Sequence, residues 1–171
     1  MGRASTRENK NIYQISREEQ GLTREKASEG MIGISAAKIE KIEYETQEPT
    51  PYDVVEMSKC YKRPDLCNYY CSHKCAIGKN NVPQIKLSDL SSIIIETTAS
   101  INDIGPLTNR LIQIARDGRI SDDEIHDFAI ISSRLDNIAK AISALNMWVE
   151  KTAAENGINM ELLNKEKELI D

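Results

Sequence analysis

Between Tyr13 and Tyr61 helix starts recur at short intervals, each written in residues whose side chains cap a first turn. Thr23 precedes Arg24-Glu25, Ser35 precedes Ala36-Ala37-Lys38, and Thr50 precedes Pro51 with Asp53 three places on. A hydroxyl at such a position accepts from an amide that the helix leaves unpaired, and proline just inside the start forfeits no hydrogen bond. Glycines punctuate the same stretch. Gly21 ends a helix over Ile12 to Gln20, and Gly30 and Gly33 permit the sharp reversal that a crossed helix pair needs. Ala27 is small where that pair should pack closely, while Ile34, Ile39 and Ile42 give the second helix an apolar stripe for a core. Short, crossed, capped helices predict an all-α domain.

On the opposite face of the helix opened by Ser35 the pattern places Ala36, Ala37, Lys38 and Lys41. With the turn Met31-Ile32-Gly33-Ile34 before it and Glu48-Pro49-Thr50-Pro51 leading into Asp53-Val54-Val55-Glu56-Met57, the stretch resembles the Cro and phage-repressor (XRE) helix-turn-helix family. That resemblance implies a five-helix domain that binds duplex DNA as a sequence-specific transcriptional regulator. It implies Thr23, Arg24, Ser35, Ala36, Ala37, Lys38 and Lys41 as DNA-binding residues. Arg24 stands where the family usually carries a glutamine-like residue, the turn is one residue longer, and the two alanines replace longer polar side chains. Alanine can touch a thymine methyl, and Lys38 and Lys41 can reach phosphate or guanine. The rival expectation is the same fold reused as a protein-contact adaptor.

Charge limits how DNA could be held. Residues 1–80 carry 13 Lys+Arg against 12 Asp+Glu, and residues 81–171 carry 9 against 15. Affinity would come from local placement, from the basic arm Arg3, Arg7 and Lys10, or from dimerisation, since no bulk basic field exists. No apolar run approaches the ~20 residues that span a bilayer, and Met1-Gly2-Arg3-Ala4-Ser5 lacks the apolar stretch of a secretion signal. The expectation is a cytoplasmic protein with no membrane partner.

A composition change near Asn80-Asn81-Val82-Pro83 predicts two domains, 1–81 and 82–171. In the second, Leu90, Ile94, Thr97, Ile101, Ile104, Thr108, Leu111 and Ala115 are spaced alternately by four and three, as are Ile131, Leu135, Ile138, Ile142, Leu145 and Val149. Such seams predict an antiparallel helical hairpin, reversed at Gly118 and restarted by Ser121 with Glu124. Gly105-Pro106 should kink or split the first arm. A two-helix hairpin cannot bury both faces of its stripe, so the expected partner is a second copy, giving a homodimer. The bland alternative is a local core against the chain's own first domain.

Cys60, Cys67, Cys71 and Cys75 fall within sixteen residues, with His73 among them. Cys67 and Cys71 would share one face of a helix begun near Pro64, and Cys75 could fold back, so three or four soft ligands could gather on zinc or an iron–sulfur cluster. Buried reduced thiols, or a thiol redox switch, fit the same spacing. No phosphate-cradling glycine loop, nucleophile elbow or metalloprotease motif is present. The two histidines, His73 and His126, are too far apart to form an evident pair, and a non-enzymatic protein is expected.

Overall fold

A computed structural model describes residues 9–170, which divide into two compact units. One reaches to Gln84 and takes in the segment from Glu150 onward, and the other is Ile85–Val149. Among the described residues there are ten α-helices and no strand, so the chain is all-α as its capping pattern predicts. No helix among them is long and apolar enough to cross a membrane.

The first unit opens with α1 (Ile12–Glu19), α2 (Arg24–Glu29) and α3 (Ala36–Glu43), followed by α4 (Pro51–Cys60), α5 (Asp65–His73) and the single turn α6 (Gly78–Asn81). Each of the first four has a side-chain cap. Asn11, Thr23, Ser35 and Thr50 accept from the backbone amides of Gln14, Lys26, Lys38 and Asp53, and Asp53 completes a capping box by accepting from the amide of Thr50. Asn11 also donates to the carbonyl of Ile42 at 2.8 Å, which fastens the start of α1 to the end of α3.

Tyr13, Ala27, Met31, Ile34, Ile39, Ile42, Val54, Met57, Tyr61 and Leu66 form one buried cluster. Burying an isoleucine or leucine there contributes about 1.5–3 kcal/mol, so Ile39, Ile42 and Leu66 fix α3 and α5 to this core. Ala27 is fully buried, as its small size between α2 and α3 anticipates. Two glycines are constrained by their backbone or by close approach. Gly33, in the turn before α3, sits at φ +72°, and a β-carbon on Gly78 would lie 2.2 Å from the carbonyl oxygen of Cys71, where α6 crosses α5.

A charged group lies inside this apolar unit. Glu43, the last residue of α3, is wholly buried, and Arg17 of α1 donates to it from Nε at 2.6 Å and from Nη2 at 3.0 Å. Arg24, at the head of α2, adds a third bond at 2.8 Å, while Arg17 Nη1 donates to the carbonyl of Leu22 at 2.6 Å.

In the second unit α7 (Leu90–Ile104) is capped by Asp89 and gives way to a 3₁₀ turn at Gly105–Leu107 before α8 (Thr108–Ile114). The Gly-Pro pair thus separates two helices, as expected of a residue that cannot donate within a helix. A second 3₁₀ turn, Ala115–Asp117, ends at Gly118 with φ +70°. Glu124 accepts from the Ser121 amide at 3.1 Å and hydroxyl at 2.6 Å just before α9 (Ile125–Ala154), and Arg110 of α8 pairs with Asp127 in the first turn of α9 at 2.6 Å. The last helix, α10 (Met160–Glu168), belongs to the first unit and is capped by Asn159.

The heptad seams do not become one buried line. Ile93 and Ile114 are buried where Ile94 and Ala115 were expected, and with Thr97, Leu107 and Leu111 half-buried between them the inner line keeps its alternation of four and three through Gly105–Leu107, displaced by one residue at every second position. In α9, Ile131 is buried and Ile138 and Leu145 half-buried, whereas Leu135 and Ile142 are exposed.

Removing the charge at Glu43 should be costly. Glu43→Gln leaves two guanidiniums facing a neutral amide, and breaking a buried pair from one side costs about 3–5 kcal/mol. Urea denaturation should show a loss of that size, and a loss below about 1 kcal/mol would show that water relieves the arginines.

Candidate nucleic-acid interface

The helices α2 and α3 meet across the Gly33 turn, and the turn itself is held from a third side. The amide of Ile32 donates to Glu56 of α4 at 3.1 Å, and Lys59 reaches the same carboxylate at 3.3 Å. The backbone bond, opposed by some desolvation and helped by Lys59, holds the Glu56 carboxyl below its ordinary range. Glu56 is thereby a positioning residue for the loop, a role that required a contact 24 residues away in sequence and carried no local signal.

With Ile39, Ile42 and Glu43 turned inward, the exposed side of α3 carries Ala37, Glu40, Lys41 and, just past its end, Tyr44, with Ser35 exposed at the cap and Ala36 half-exposed. Thr23 and Ser35 each spend an oxygen lone pair as caps, at 3.2 Å from the amides of Lys26 and Lys38, and the Thr23 hydroxyl also bonds the Glu25 carboxylate. Lys41 is exposed, with no ion pair among the described residues. Ser35, Ala36, Ala37 and Lys41 therefore share one accessible surface.

Lys38 and Arg24 are placed differently from that expectation. Lys38 flanks the buried stripe, and its Nζ donates to Asp53 at 2.6 Å, which adds a cation to the capping box of α4. Arg24 turns back onto its own unit. Besides its bond to Glu43 it donates to Glu40 at 3.1 Å, and its guanidinium lies 5.0 Å over the ring of Tyr44. Burial works against the charge on Arg24, but hydrogen bonds with Tyr44 and Glu43 outweigh it and hold the group protonated. Tyr44 went unremarked in sequence terms; its helical spacing of four from Glu40 was the only available signal. Of the basic arm, Arg3 and Arg7 lie outside the described residues, and Lys10 is paired with Glu18 at 2.6 Å.

The four cysteines do not assemble a cage. Among the described residues no group of three or more His, Cys, Asp or Glu side chains is placed to hold a metal ion. Cys60 lies on α4 with its thiol 3.8 Å from the carbonyl of Ala27, and Cys75 lies past the end of α5, where its sulfur accepts from the Gly78 amide at 3.5 Å. Only Cys67 and Cys71 sit on α5 itself, one turn apart. All four thiols are free, and burial, aided by Glu56 at Cys60 and by Cys75 and Cys67 at Cys71, pushes Cys60 and Cys71 up from their ordinary value. His73 does not join them. Its ring stacks on Tyr69 at 4.4 Å between centroids, and Tyr69 in turn meets Tyr13 edge-on at 6.3 Å. Of the cysteines expected to ligate zinc or an iron–sulfur cluster, Cys60 and Cys67 pack against the buried cluster.

Compared with known proteins, the chain matches no family model, no curated protein and no solved structure.

The Lys38–Asp53 pair gives the unit an acid sensitivity of definite sign. Desolvation raises Asp53, but the bonds from Lys38 and Thr50 outweigh it, leaving the carboxyl below its ordinary 3.8. A depressed folded value means the stabilisation is complete above the unfolded value and is lost as pH falls through the folded one. Lys38→Met should therefore lower the urea midpoint at pH 7, and the gap to the parent protein should close as the pH drops below about 4. A gap independent of pH would assign the loss to packing of the lysine stem.

Proposed function

We propose that this protein is a sequence-specific DNA-binding regulator, non-catalytic and cytoplasmic. It reads duplex DNA with the exposed face of α3, in a helix-turn-helix arrangement of repressor type formed by α2 and α3. The observation that carries this is the division of α3 into two faces. One is bound to the core through Ile39, Ile42 and Glu43, and the other offers Ala36, Ala37 and Lys41 to an external surface. A helix that enters the major groove needs such a division, since its backbone must approach the base edges while its other side stays rigid. Small side chains at the N-terminal end favour close approach and contact with thymine methyl groups.

The second unit supports pairing of two copies. In its two seams Ile94, Ile101, Leu135 and Ile142 recur at seven-residue spacing and are all exposed, at 46%, 53%, 44% and 49%. A helical hairpin built from α7–α8 and α9 would bury one apolar line within itself and leave this second line for a partner copy, as in a four-helix bundle. A two-fold assembly presents two reading helices to an inverted repeat.

A protein-contact role is the second reading. Ile32, in the turn beside α3, is 72% exposed, and Tyr52 on α4 is 53% exposed, which places apolar side chains on the same unit.

Selection of random duplexes by the purified protein separates the two. A regulator should enrich an inverted repeat. Lys41→Ala should then weaken binding to all sequences alike and lower the salt slope by about one, without loss of helicity. If nothing is enriched and binding disappears at moderate salt, the adaptor takes its place. For the assembly, Ile142→Glu should convert a dimer to a monomer in sedimentation equilibrium, and a monomeric parent protein would refute the hairpin interface.

A further inference from the structure

We infer that Glu40 is the base-discriminating residue of α3 and selects a C·G base pair through the N4 amino group of cytosine, an inference that rests on the DNA-binding reading above. A carboxylate on a DNA-facing helix is repelled by phosphates unless something nearby neutralises and orients it. Glu40 has both conditions met. Its Oε1 accepts from Arg24 Nη1 at 3.1 Å, while its side chain is still 50% exposed. Arg24 cannot follow a phosphate away, because its Nε is bound at 2.8 Å to the buried Glu43, which Arg17 holds from the other side at 2.6 Å. Tyr44 lies against the guanidinium at 5.0 Å. The result is an acceptor of fixed direction one helical turn beyond Ala36 and Ala37, on the same exposed strip.

An ionised carboxylate only accepts hydrogen bonds, so the donors available in the major groove decide what it tolerates. Guanine presents O6 and N7 and thymine presents O4, all acceptors that oppose it. Adenine has the N6 donor, but beside it the N7 lone pair faces the same carboxylate. Cytosine offers N4 amino hydrogens with no acceptor next to them on its own edge. Three of the four base choices are thus disfavoured and one is matched. The alanines contribute thymine contacts one turn earlier, so the half-site should hold a cytosine close to thymine-rich positions.

The test is selection of random duplexes by the full-length protein and by Glu40→Gln and Glu40→Ala at one salt concentration. The parent protein should enrich a motif with a near-invariant C·G pair, and replacing that pair by T·A should weaken binding about tenfold. Glutamine, which donates and accepts, should move that single position towards A·T and leave the others unchanged, and alanine should reduce its discrimination to below about threefold. A changed base identity is an effect that a merely structural role would not produce. An identical motif from all three proteins, or one without a dependent C·G pair, overturns the inference and leaves DNA binding standing. No enrichment by the parent protein removes the DNA-binding reading and this inference with it.

Discussion

Glu43 holds the first unit in register. Its carboxylate lies at zero exposure, where an unpaired charge could not remain, and three charge-assisted bonds from Arg17 and Arg24 compensate its loss of water. Those residues come from α1, from the head of α2 and from the end of α3. Apolar contacts among Ala27, Ile39 and Ile42 supply most of the free energy but little direction, since an isoleucine tolerates small rotations of its neighbours. A bidentate guanidinium does not. The ion cluster thus sets the rotation of α3 about its own axis, and that rotation decides which residues face outward. Burial opposes the charge on Arg17, yet the bonds to Glu43 prevail and keep it protonated, so the clamp persists throughout the ordinary pH range.

Helix beginnings were legible in the sequence because the signal is local. Thr23, Ser35 and Thr50 each bond an amide three residues on, and the distance between a cap and its target is a property of any helix. Helix endings were less so. α3 and α4 stop with Glu45 at φ 59° and Lys62 at φ 54°, left-handed positions without the glycine that usually announces them, sustained by bonds from Thr46 to the Lys41 carbonyl and from Arg63 to the Ser58 carbonyl. Arg24 and Lys38 show a further limit. Both are cations at positions that a family resemblance assigns to DNA, and both are held by carboxylates 15 to 19 residues away. Sequence spacing placed them on the correct helices and could not count their partners.

The cysteines and the heptads show a related geometric limit. A repeat of four places Cys67 and Cys71 on one face of α5, but convergence on an ion requires a ligand from another element aimed at the same point, and Cys60 and Cys75 are engaged elsewhere. In the second unit the alternation of three and four residues is real, and it continues through Gly105–Leu107. The apolar residues nevertheless separate into an inner and an outer set, because Ile93 and Ile114 face inward where Ile94 and Ala115 do not. The outer set becomes visible only after the inner one has been accounted for.

Charge pairing also constrains how such a protein could hold DNA. Over α1 to α6 Lys10, Lys38, Lys74 and Arg63 are bonded to Glu18, Asp53, Glu48 and to Glu19 with Asp65, while Lys26, Lys41, Lys62 and Lys79 are exposed without an ion pair among the described residues. Each phosphate contact releases about one counterion, so a head with so few uncommitted cations gains little sequence-independent affinity. A protein of this kind would depend on base contacts and on joining two heads, because linkage turns the second binding event into an intramolecular one. The exposed seven-residue line of the second unit and the near-neutral first unit are then two sides of one requirement. On the proposed reading, weak attraction to any DNA would suppress binding at wrong sites, and pairing would restore affinity where both half-sites fit.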